Sequence, residues 1–306
     1  MAPRRLSGRV AAWTARAERT RDALLERPLV RQGHDAYQRY YTLGMHHVAG
    51  SVTYFGVLTL FPLLALLLAA AASVVTAHPS LRETGTQAVA ETFGVPVDLQ
   101  GRYLSAQARA SVQAALATIG VTGFVYAGRL WVDAYRRAFR VVWGPGEPSA
   151  GPGYVWRYVR DVLVFTVIAA AVTVLVVLGL LATGGPYRVF AVNGHGLAGW
   201  AVAAARAGAV AATAAWGFLL CSALYHRLGR APRTPAVRWA AALAGASLAA
   251  MMIGGLLLLK HAFAEPTYGI VVAMLGLMLW VSAAVRITLA LGMWARTAAP
   301  ARHDDR

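Results

Sequence analysis

Two arginines stand where ionised side chains are rare. Arg206 and Arg286 lie inside long apolar blocks of the chain. A charge at the centre of a bilayer-spanning helix costs roughly 2.5–3.5 kcal/mol. Each must therefore snorkel to an interface or face a wet cavity, where a guanidinium binds an anion. Arg206 is near the outer end of its block and is placed to snorkel. Arg286 is about two turns from the inner end of its own block, and for it both readings stand. Pro62 lies near the middle of the first apolar block, with the hydroxyls of Ser51, Tyr54 and Thr59 nearby. Proline removes one helix hydrogen bond and clashes with the carbonyl four residues back. A kink there would open a cavity or act as a hinge; in the plainer reading Thr59 caps the freed carbonyl. Lys260, at the outer end of the fifth block, is an interfacial anchor or a headgroup contact. The candidate cavity is thus Tyr54, Thr59, Pro62, Lys260 and Arg286.

Other chemistries find little support. Asp133 with Arg136 and Arg137 has helical i,i+3 and i,i+4 spacing, which reads as a solvated salt bridge. Trp131, Trp143, Trp156 and Trp280 read as interfacial or packing aromatics. A nuclease needs clustered carboxylates for metal ions or a histidine pair for acid–base work. The acids on the arginine-rich side beyond the amino-terminal segment are Asp133, Glu147, Asp161, Asp304 and Asp305, and they form no cluster in the sequence. His46 and His47 are adjacent and point to different sides of a helix. No GxxxxGK[ST] phosphate loop occurs, which argues against ATP-driven transport by this chain alone. The single cysteine, Cys221, excludes an intrachain disulfide and a thiolate metal site. No cofactor, metal or catalytic residue is expected.

The elements that position these residues are membrane helices. The chain of 306 residues is 58% hydrophobic and 14% charged, whereas soluble domains are about a quarter charged. Its apolar residues come in blocks of the length that crosses a hydrocarbon core. Six spans are predicted, at about 51–77, 111–130, 160–182, 202–224, 238–260 and 268–291. All should be helical, because an isolated strand leaves its backbone unsatisfied in lipid and the runs do not alternate as barrel strands do. Of the 29 basic residues, 22 fall in 1–50, 129–160, 225–238 and the tail, five fall in the alternate segments, and two lie inside spans. That alternation fits six spans with both termini in the cytoplasm. The net charge of +16 then meets anionic lipid headgroups rather than nucleic acid.

Residues 1–50 read as a basic cytoplasmic segment, 51–295 as the membrane domain and 296–306 as a cytoplasmic tail. The opening MAPRRLSGRV is arginine-rich without an apolar core, so the first apolar block serves as an uncleaved signal-anchor. Val10, Trp13, Ala17, Leu24 and Leu25 share one side of a helix, as in an amphipathic helix on the membrane surface. Tyr37, Tyr40 and Tyr41 follow at the level of an aromatic belt. Trp13, Arg136, Arg137 and Trp143 are the residues expected at the membrane surface. GPGEPSAGPG at 144–153 is a turn.

Four local patterns together resemble the YihY/BrkB family of bacterial inner-membrane proteins, once labelled ribonuclease BN-like. They are Thr53-Tyr54-Phe55 followed by Leu58-Thr59-Leu60-Phe61-Pro62-Leu63-Leu64; Leu130-Trp131-Val132-Asp133-Ala134-Tyr135-Arg136-Arg137-Ala138-Phe139 with Trp143-Gly144; Leu224-Tyr225-His226-Arg227-Leu228 with Gly245-Ala246; and Lys260-His261-Ala262-Phe263 with Tyr268-Gly269, Leu279-Trp280 and Ser282. The resemblance spans about residues 45–295 and implies an all-α fold of six transmembrane helices. The arginine-rich extension looks like that of actinobacterial members. The family often ends its last span with glycine, a small residue and glutamate, where this chain has Gly292-Met293-Trp294.

Three functions follow as expectations. The first is a transporter, or a facilitator of the movement of a lipid or other amphiphilic anion, in the bacterial cytoplasmic membrane. The second is a structural or regulatory membrane protein that recruits partners through its basic cytoplasmic face; whether the chain forms a homo-oligomer is left open. The third is the ribonuclease of the old label, against which the missing acid cluster speaks.

Overall fold

In a computed structural model, the described residues are 27–77, 106–144, 153–183, 199–262 and 269–298. They are almost wholly helical and contain no strand. A short helix, α1 (Pro28–Thr42), precedes six long ones: α2 (Met45–Ala77), α3 (Ala106–Trp143), α4 (Tyr154–Thr183), α5 (Gly199–Ala223), α6 (Pro235–Ala262) and α7 (Gly269–Ala298). Helices α2 to α7 are each long and apolar enough to cross a membrane. The chain is a polytopic membrane protein, with its six spans where the apolar blocks predict them.

The helices outrun the predicted spans mainly at one end. Helix α2 begins at Met45 and α3 continues to Trp143, so Arg129, Arg136, Arg137 and Arg140 sit on helix rather than in a loop. This end, where α2 starts and α7 stops, is the basic end. Hydropathy locates hydrocarbon, whereas backbone hydrogen bonding carries a helix onward past the bilayer border. The expected amphipathic helix around Trp13 lies outside the described residues.

Close approach of backbones holds the bundle. Helices α2 and α3 pack along much of their length, as do α5 and α6. A Cβ added to Gly245 of α6 would lie 2.2 Å from the Phe218 amide nitrogen of α5, and one added to Gly217 would lie 2.7 Å from the Gly245 carbonyl oxygen. Such contacts replace the hydrophobic drive that lipid does not supply between helices. Gly254 of the same helix takes no part in such a crossing, since a Cβ there would meet nothing within 4 Å.

The core lies toward the basic half, where Met45, Phe139, Tyr225, Leu289 and Met293 are fully buried. Helix α5 runs into a π turn, Leu224–Leu228. The turn is closed by Gly229 N–H donating to the Leu224 carbonyl at 3.0 Å and by Ala231 N–H donating to that of Tyr225 at 2.9 Å. Arg230 then takes a left-handed backbone, φ 51°, which reverses the chain into α6.

Candidate functional site

Helix α1 is built with three faces. At 3.6 residues per turn, Gly33, Ala36 and Tyr40 share one side, and Ala36 is buried and the other two half-buried, with Gln32 and His34 half-buried beside them. That side packs mainly on α7 and to a lesser extent on α2. Val30, Tyr37 and Tyr41 form a second, exposed apolar stripe, with the two tyrosine rings 4.7 Å apart. Arg31, Asp35 and Gln38 form a third, exposed and polar. A helix with one side on protein, one apolar and one polar has the pattern of an element lying along a membrane surface. Gly44, with φ +62°, turns the chain from α1 into α2; a side chain would be strained in that conformation.

Arg286 of α7 is exposed, and no described residue forms a hydrogen bond or ion pair with its side chain. Its charge acts on the phenol of Tyr40 across the α1–α7 contact. Burial raises the Tyr40 phenol above its usual value, and the Arg286 charge opposes that rise. The Tyr40 hydroxyl and His46 Nδ1 are both buried without a hydrogen-bond partner among the described residues. A buried polar atom left unmatched costs roughly 1–3 kcal/mol. A guanidinium with no ionic partner among the described residues, acting on an unmatched phenol, has the chemistry to meet an anionic, hydrogen-bonding group.

The other predicted cavity residues do not converge on Arg286. Tyr54 points outward, 63% exposed, while Thr59 is buried on the opposite side of α2. The Thr59 hydroxyl donates to the Gly56 carbonyl at 2.7 Å. It therefore does not cap the carbonyl freed by Pro62, which belongs to Leu58, four residues back. Helix α2 continues through Pro62, whose ring fills the notch left by Gly123 of α3: a Cβ there would be 2.9 Å from the proline Cγ. Pro62 thus serves a helix joint. A Cβ on Gly56 would lie 3.1 Å from Val281, which sets the level of α2 against antiparallel α7. Pro62 is six residues outward of that level and Arg286 five inward, so they lie about 16 Å apart along the bundle. Lys260 is within α6, but its side chain, like Trp13, lies outside the described residues.

Arg206 donates from Nε to the Ala182 carbonyl at 3.4 Å, which satisfies an orphan acceptor at the end of α4. Arg296 likewise caps α3, donating from Nη1 to the Val142 carbonyl. Arg137 pairs with Asp133 as its spacing predicts. Arg136 does not: it crosses to Asp161 of α4, at 2.5 Å, in a largely buried pair. An acid at the border of an apolar block signals such a pair, but spacing within one helix cannot reveal a partner on another. Trp143 stacks edge-on against Tyr225, whose hydroxyl donates to the Thr288 carbonyl at 2.7 Å. The hydroxyls of Tyr135 and Thr288 are 3.5 Å apart. Tyr135, Trp143 and Tyr225 belong to the second and third resembling patterns, and the fold brings them together in a buried knot at the basic end. The sequence does not reveal the partners of Tyr40, Asp161 and Thr288; for Tyr40 the signal is its position on the buried stripe of α1.

Among the described residues no three His, Cys, Asp or Glu side chains are grouped to hold a metal ion. No curated protein and no solved structure matches the chain. The family model described as Virulence factor BrkB matches residues 36–306, from the second half of α1 to the last residue. The resembling patterns, the six spans and this match agree, and the chain belongs to the BrkB family of membrane proteins.

Proposed function

We propose that this chain resides in the bacterial cytoplasmic membrane, both termini inside, and assists the movement of an amphiphilic anion, a lipid with an anionic headgroup. The observation that carries this reading is Arg286, a guanidinium within the last span with no ionic partner among the described residues, set against the half-buried Tyr40. A charge costly to hold in lipid is retained where it meets an opposite charge. The basic end supports the orientation, since arginine-rich loops stay on the cytoplasmic side. The chemistry is binding and passage, without bond cleavage.

The test is reconstitution in vesicles with a labelled anionic phospholipid and measurement of its transfer between leaflets. Transfer that depends on Arg286 supports the proposal; transfer equal to that of empty vesicles refutes it. The alternative, recruitment of partners through the basic face, is separated by removing residues 1–26. That truncation leaves α1 on α7, whereas a cut at residue 45 would strip α1 and disturb both functions at once. Loss of function with intact lipid transfer in the truncated chain would favour recruitment.

A further inference from the structure

Between α6 and α7 at the basic end lies an open apolar groove of about 530 Å³, lined by Trp239, Leu243, Leu291 and Trp294. Its size is within the range of ligand sites, roughly 300–1,000 Å³. Trp239 is four residues inside the start of α6 and Trp294 four residues from the end of α7. Both indoles therefore sit about 6 Å from the helix ends, at the level where tryptophan marks the membrane border. Leu243 and Leu291 continue the groove about one turn deeper.

The segment entering α6 carries Arg227, Arg230, Arg233 and Arg238, all exposed. None forms an ion pair among the described residues. Arg238 immediately precedes the groove residue Trp239. An apolar slot on the helix that this arginine-bearing segment enters fits one molecule with a charged head and an acyl tail. A free phosphate ion would have no use for the slot. A second copy docked here about a two-fold axis would bring its own four arginines against these.

The geometry points to a phospholipid-binding site in which the groove holds an acyl chain of an anionic glycerophospholipid and Arg233 and Arg238 hold its phosphate. The site is distinct from Arg286, and binding there is measurable whether or not the chain moves lipid.

The experiment titrates the full chain, purified in neutral detergent, with phosphatidylglycerol bearing brominated acyl chains, which quench nearby tryptophan fluorescence. Each arginine near a phosphate contributes about 1 kcal/mol, close to fivefold in affinity. Arg233→Gln with Arg238→Gln should weaken phosphatidylglycerol binding about 30-fold. The affinity of brominated phosphatidylcholine should change much less. Trp239→Phe with Trp294→Phe should remove most of the quenching. Leu243→Trp should fill the groove and abolish binding, while the elution profile shows the bundle intact. Arg31→Gln, an exposed arginine on α1, should leave the affinity unchanged. The site is refuted if phosphatidylcholine binds equally well, if Arg31→Gln weakens binding as much as the α6 variants, or if Leu243→Trp converts a dimer to a monomer.

Discussion

Gly245 offers the sharpest test of the packing that holds the site. Its added Cβ would lie 2.2 Å from the Phe218 amide nitrogen, where ordinary contact begins at 3.4 Å. Gly245→Ala therefore demands that α5 and α6 separate locally by about 1.2 Å, because the obstacle is backbone and cannot rotate away. Overpacking typically costs about 1–3 kcal/mol, and backbone contact places this case near the top of that range. Alanine recovers about 1 kcal/mol as the better helix former. The net expectation is a loss of about 2 kcal/mol, or roughly 4–8 °C in the unfolding midpoint. Gly254→Ala is the matched control, since nothing lies within 4 Å of its Cβ. It should gain up to about 1 kcal/mol from the same propensity. Thermal unfolding of both variants in one detergent checks the pair. Equal shifts, or stabilisation by Gly245→Ala, would refute the close crossing of α5 on α6.

Asp161→Asn should destabilise by about 1–3 kcal/mol, because it leaves Arg136 without its charge partner at a largely buried position; a double-mutant cycle with Arg136→Gln should show the two effects are not additive. Tyr225→Phe removes the bond to the Thr288 carbonyl and should cost about 1 kcal/mol in the same unfolding assay. Cys221 is fully buried, so maleimide should not label the folded protein and should label it after denaturation. Against that silent background, cysteines introduced by Arg31→Cys and Arg302→Cys should be labelled from the same side of the membrane.

The spans were legible because each is set by a local quantity, a run of apolar residues long enough to cross a bilayer. The alternation of arginines constrained their number independently, and the six long apolar helices agree with it. Of the proposed site, the sequence singles out only its most costly member. Arg286 announced itself by being charged in an apolar block. Tyr40 did not, since a tyrosine ahead of a span reads as a belt residue until helix α1 is seen to pack on α7. Pro62 misled for the complementary reason. Proline in a helix signals a lost hydrogen bond, but whether the notch opens a cavity or receives a neighbour depends on Gly123, some sixty positions away in the sequence. Asp161 was hidden in the same way, because its partner Arg136 is on another helix.

Arg286 carries the proposed function, and lipid transfer measured in its variants addresses that role directly. In vesicles containing the purified chain and a fluorescent anionic phospholipid, transfer between leaflets is followed by access of a membrane-impermeant quencher. Loss of a charge-assisted contact worth about 1.5–3 kcal/mol predicts that Arg286→Ala slows transfer tenfold or more, with Arg286→Lys retaining part of the rate. Transfer by Arg286→Ala at the wild-type rate, in protein of unchanged stability, would contradict it.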